Sequence, residues 1–119
     1  MREERGAVAG PLVVSEPYTL WGSVGGDVFV VEGGKFYLRG AIYGNLHVEY
    51  GGRVHVFGNL QGNLIVKRGA KVIHSGVIGG EINNRGGRIF IELAAKTMGK
   101  IKTKSGDTTF EVAQKFPHE

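Results

Sequence analysis

Four histidines, eleven carboxylates and fifteen cationic side chains are the groups of this 119-residue chain that could do chemistry. Paired carboxylates could run acid–base hydrolysis, clustered histidines could hold a metal, and a Gly-Lys turn could cradle phosphate. No cysteine is present, so thiolate nucleophiles, thiolate metal sites and disulfides are excluded. Gly34-Lys35 and Gly99-Lys100 are followed by Phe36 and Ile101, with no Ser or Thr to meet magnesium, so neither completes a phosphate loop. Whether His47, His55, His74 and His118, or Asp27 and Glu81, converge depends on the elements that carry them.

Those elements follow from an internal repeat. "GNLHVEYGGRV" (44–54) returns as "GNLIVKRGAKV" eighteen residues later. Aligned on G-x-V-x-G, the chain divides into units 6–21, 22–39, 40–57, 58–75 and 76–92. The third place of each unit is Val8, Val24, Ile42, Leu60 and Ile78, and the seventh is Leu12, Val28, Leu46, Leu64 and Ile82. The ninth is Val14, Val30, Val48, Val66 and then Asn84. Beyond a glycine corner come Tyr18, Phe36, Val54, Val72 and Ile89, followed by Leu20, Leu38, Val56, His74 and Ile91.

Three short period-2 runs per unit, rich in β-branched residues and cut by glycines, predict strands. Glycine at 21 positions argues against helix, which it penalises. Identical three-strand units predict a solenoid whose strands pair in parallel with those of the next turn, ~4.8 Å away. The expected fold is therefore all-β: a single-stranded right-handed parallel β-helix, triangular, of about five 18-residue rungs with a C-terminal capping tail. A left-handed hexapeptide helix shares the aliphatic spacing of Val24, Val30, Phe36 and Ile42. However, two of the three sides carry a second inward aliphatic where that repeat usually has a small residue. The expected divisions are an N-terminal extension 1–5, the solenoid 6–92 and a cap or tail 93–119.

This geometry disperses the chemistry. His47 and His55 share a turn on different sides, and His74 falls in an inward column as a hydrogen-bonded core histidine. Asp27 and Glu81 lie three turns apart, about 14 Å by strand spacing. An inverting glycosidase pair needs ~6.5–9.5 Å. No catalytic residue, metal site or cofactor is expected, and the chain is read as a non-enzyme.

Function is then expected on the outward columns and the ends. Lys35, Arg53, Lys71 and Arg88 form a candidate basic strip: a solvated corner, or a surface for an anionic partner. Val13, Phe29 and Ile65 form one candidate apolar interface, and Tyr37, Ile73 and Phe90 another, with Trp21 and Phe57 two residues further on. The alternative for these columns is that the tail folds back over one of them. Asn45 and Asn63 stack beside a corner, where they could hydrogen-bond along the axis, and Asn83-Asn84 marks the solenoid loosening near its end. The net charge of +4 is spread along the chain rather than blocked, so nucleic acid is not expected as a partner. No apolar window approaches the ~18 residues of a membrane span. "MREERGAVAG" lacks the form of a signal peptide, so the expected location is cytoplasmic.

The phrases "GAIYGNLHVEYGGRVHV" and "GNLQGNLIVKRGAKV" resemble the bactofilin group of bacterial polymer-forming cytoskeletal proteins. The resemblance covers about 6–92 and rests on G-x-[VIL]-x-G-[ND]-[LV]-x-V at 22–30, 40–48 and 58–66. It implies a right-handed triangular β-helix that assembles end to end without nucleotide, and no catalytic residues. The chain departs from the group in its short N-terminal arm and its 27-residue tail. The partner expected first is the chain itself, as a dimer or longer assembly through rung ends or apolar side columns. Another protein or a membrane surface is the alternative partner. A hexapeptide-type acyltransferase is a further alternative, and it would require the left-handed helix.

Overall fold

The computed structural model describes residues 2–113. These form strands and no helix, stacked in parallel into a β-solenoid whose turns recur about every 18 residues. The third turn is representative. Ala41–Ile42 lies on the first side, Leu46–Val48 on the second and Arg53–Val56 on the third. Each strand pairs with its counterparts one turn before and after. Ile42 is in register with Val24 and Leu60, Leu46 with Val28 and Leu64, and Val54 with Phe36 and Val72. The aliphatic columns read from the sequence point inward and are buried as one continuous core. A single turn cannot bury its own apolar side, so the stacking itself supplies the stability.

The glycines are present for two different reasons. Gly33, Gly51, Gly69 and Gly86 open the corner between the second and third sides with positive φ, which side chains resist. Gly22, Gly40, Gly58 and Gly76 do not require positive φ. Their missing Cβ leaves room for the backbone carbonyl of the glycine one turn below.

Both ends depart from the expected divisions. The described part of the expected extension 1–5 is not separate from the solenoid: Arg2–Glu4 is a strand in register with Tyr18–Leu20. Nor does residue 93 begin a cap laid over the end. Lys96–Thr97 stacks on Val77–Ile78, and Ile101–Phe110 runs along Ile82–Ile91. The described tail is therefore a sixth turn, which the G-x-I spacing of Gly99 and Ile101 foreshadows. The last six residues, including His118, lie outside the described residues. Inward positions of the sixth turn are Thr97, Ile101, Thr103, Thr108 and Phe110, so the core turns polar as it meets solvent.

Asn83-Asn84 does not loosen the coil. Asn84 is fully buried, and the ladder runs on through it with a register shift. Its Oδ1 accepts from the amides of Gly86 and Gly87 at 3.1 and 2.9 Å. Its Nδ2 donates to the carbonyls of Gly87 and Asp107 and to Thr108 Oγ1. The one-residue deletion shortens this corner, and the asparagine amide takes over the backbone groups that the shortening strands.

Candidate interaction surfaces

The basic strip is a true ladder. Lys35, Arg53, Lys71 and Arg88 are in register on successive turns, and all four are exposed. None of them has an ion-pair partner among the described residues. Tyr37, His55, Ile73 and Phe90 form the next outward column, two residues along each strand. A groove lined by Lys35, Arg53 and Lys71 with Tyr37, His55 and Ile73 runs between the two columns. The described part of the tail continues the coil and covers neither.

Trp21 and Phe57 stand in one column, but not side by side. Arg39 lies between them, its guanidinium 5.2 Å from the Trp21 ring and 4.2 Å from the Phe57 ring. Arg5 covers Trp21 from the preceding turn at 5.1 Å. Sequence reading missed Arg39 because period-2 patterning marks apolar residues only, whereas a flat cation stacks on aromatic faces equally well. Farther along, His55 stacks on Phe57 with centroids 3.7 Å apart. Its Nε2 lies 2.9 Å from Ser75 Oγ, which donates to Glu92 Oε1. The serine sits between base and carboxylate, its proton directed at Glu92. That order fixes the corner and leaves the imidazole without the hydroxyl proton that nucleophile activation requires.

The second side carries Val13, Phe29, His47 and Ile65 in register. Phe29 stacks on His47 at 4.5 Å, and Val13 is 61% exposed. His47 Nε2 also meets Asp27 Oδ2 at 3.2 Å. At the adjoining corner, Asp27 Oδ1 accepts the Asn45 amide, Asn45 Oδ1 the Asn63 amide and Asn63 Oδ1 the Glu81 amide, each at 2.8 Å. The asparagines thus bond along the axis through the backbone of the next turn rather than amide to amide. The Asn45 amide, aided by His47, holds the Asp27 carboxyl below its usual range against a smaller opposing effect of burial. Lys102 closes the column on Glu81 at 3.3 Å. Asp27 and Glu81 end this ladder at opposite ends and do not face one another. Among the described residues, no group of three histidines or carboxylates gathers as a metal site would require.

His74 is fully buried in its inward column. Nε2 meets the Lys96 carbonyl at 3.1 Å and Thr97 Oγ1 at 3.2 Å, tying the fifth turn to the sixth, while Nδ1 is buried without a partner. Burial pushes its pKa below the ordinary imidazole value, against the raising effect of the Lys96 carbonyl. His55 is also lowered, first by burial. Both groups take up a proton more readily unfolded than folded. Their stabilising contribution is complete above the unfolded pKa of about 6.5 and is lost as pH falls below it. The urea midpoint is expected to drop between pH 7 and 5. The drop should shrink, but not vanish, in His74→Val, because His55 remains. A wild-type midpoint unchanged over that range contradicts the assignment.

No protein-family profile, curated protein or solved structure matches the chain. Among the described residues, no helix is long and apolar enough to cross a membrane.

Proposed function

We propose that the chain is a non-enzymatic structural module that associates with copies of itself, in the manner of a bactofilin-like cytoskeletal element. The observation that carries this reading is that both ends of the ladder are open among the described residues. At one end, Ala7–Val8 and Leu12–Val14 each pair on one edge only. At the other, Lys96–Thr97 and the ten residues Ile101–Phe110 do the same. Unpaired strand edges recruit further strands unless something covers them. Val8, Leu12 and Ile101 are only half-buried there, and Phe110 is 55% exposed. A second copy stacked in the same sense would continue the Val8, Leu12 and Val14 columns of the first two sides, while on the third side it would meet Arg2 and Glu4. Because the sixth turn is an open edge among the described residues, head-to-tail growth is available as well as a closed N-end to N-end dimer.

Sedimentation velocity across a concentration range tests the proposal, with species larger than the monomer expected to grow with concentration. Ile101→Asp and Phe110→Asp should shift that distribution toward monomer, whereas Val13→Asp on the side column should not. A wild-type chain that stays strictly monomeric up to high micromolar concentration overturns the reading. The reverse pattern among the variants moves the contact from the ends to the sides.

A further inference from the structure

The corner loops between the second and third sides concentrate charge in a way that the linear sequence conceals. In the early turns this corner carries Glu16, Glu32 and Glu49 beside Lys35 and Arg53. In the fourth and fifth turns, loops 67–71 and 85–88 carry Lys67, Arg68, Lys71, Arg85 and Arg88 and no carboxylate. All five are exposed, and among the described residues only Lys67 is ion-paired, to Glu49 at 3.4 Å. The positive-φ glycines at this corner remove side chains once per turn. They leave a trough floored by Gly51, Gly69 and Gly86 and walled by Arg53, Lys71 and Arg88. The ring of Tyr50 rests on Gly69, where a Cβ would come within 2.5 Å of Cδ2. Tyr50 is 62% exposed, and in its column of the repeat it stands between Glu32 and Arg68.

We propose that this corner, over the third to fifth turns, binds single-stranded nucleic acid. The phosphates sit on Arg53, Arg68, Lys71, Arg85 and Arg88, and a base stacks on Tyr50. Cations set one turn apart, ~4.8 Å, track a chain of phosphates laid along the solenoid axis. Four of the five are arginines, whose planar fork matches phosphate oxygens two at a time. The side chains of Tyr50 and Arg68 lie against Gly69 and Gly86, so the ligand would meet them at the floor of the trough. Tyr50 favours a nucleic acid, in which every unit carries a planar base, over an acidic protein segment, in which aromatic rings are occasional. The corner of the first two turns, with Glu16 and Glu32, would repel the same ligand and sets the site's lower limit, whereas Glu49 in the third turn is paired to Lys67. This surface is separate from the ladder ends, so it stands or falls independently of self-association.

The test is fluorescence anisotropy with a labelled oligothymidylate of about twelve nucleotides, long enough for a small binding site. Inorganic polyphosphate and phosphatidylserine vesicles serve as base-free probes. Saturable binding to the oligonucleotide is expected at low salt. Log affinity should fall on log salt with a slope of about −2 to −3, from ~0.7 per phosphate with three or four engaged. Arg68→Glu with Arg85→Glu should abolish binding. Tyr50→Ala should weaken oligonucleotide binding roughly five- to hundredfold, the range of one base–aromatic stack, and leave polyphosphate binding unchanged. Circular dichroism of each variant confirms the fold, since all the altered side chains are exposed. The proposal is overturned by absence of oligonucleotide binding at low salt. It is equally overturned by indifference to Tyr50→Ala, or by vesicles binding where the oligonucleotide does not.

Discussion

Gly58→Ala is expected to cost at least about 3 kcal/mol, beyond the usual range for an added core methyl. Gly58 has an ordinary backbone conformation, so the cost is not one of φ. A Cβ there would collide with the carbonyl oxygen of Gly40 one turn below and approach that of Arg39. Both are backbone atoms held by the ladder: the Gly40 carbonyl accepts the Asn59 amide at 2.9 Å. Neither can swing aside as a side chain would. Relief requires the third and fourth turns to part, and the core columns cross that gap. Gly25→Ala is the control. It stands at a corner where the nearest atom, the Ala9 carbonyl oxygen, lies 3.4 Å from the added methyl. It should stay within about 0.5 kcal/mol, as surface changes do. Urea unfolding followed by circular dichroism measures both, and equal midpoints for the two variants would refute the close-contact explanation.

Asn84→Leu is the second large effect, and its sign runs against hydrophobic patterning. Leucine restores the aliphatic column of Val48 and Val66 and would be read as an improvement from sequence. In the structure it removes the acceptor for two amides, Gly86 and Gly87, and a donor to the Gly87 carbonyl, at a corner where Gly87 is buried. A buried group left unpaired costs about 1–3 kcal/mol. The added apolar burial recovers roughly 1.5–3 kcal/mol at most. With three backbone groups affected, at about 2 kcal/mol each, and about 2 kcal/mol recovered, a net loss of roughly 4 kcal/mol is expected. The Nδ2 bonds to Asp107 and Thr108 are lost as well, so protection of the sixth turn should fall first. Amide hydrogen exchange along 101–110 reads that loss directly. Exchange there that is no faster than in the wild type would show that Asn84 does not hold the last turn.

The β-solenoid was legible because its physics is local and repeated. Period-2 aliphatics, β-branched residues and glycines recurring at eighteen residues admit few other folds, and the inward columns from Val24 to Ile82 follow from alternation alone. His74 was placed in the core by the same rule. The basic ladder was legible too, since Lys35, Arg53, Lys71 and Arg88 keep the repeat.

What escaped the sequence was whatever broke the period or depended on the third dimension. The sixth turn was legible only in the G-x-I places of Gly99 and Ile101, because threonines replace aliphatics where the core meets solvent and erase the rest of the pattern. Arg2–Glu4 lacks any apolar signal, yet the backbone of Tyr18–Leu20 offers it an edge. Asn84 reads as a defect until the stranded amides around it are visible. Composition showed a chain of modest net charge with its cations scattered. Only the winding of the coil adds Lys67, Arg68 and Arg85 to the corner of Lys71 and Arg88, lays Tyr50 on Gly69 beside it and inserts Arg39 between Trp21 and Phe57. Sequence alone determined the repeat, because each strand's pattern is written within a few residues. The tertiary structure decided the surfaces, because residues eighteen apart become neighbours ~4.8 Å apart only once the chain has closed its turns.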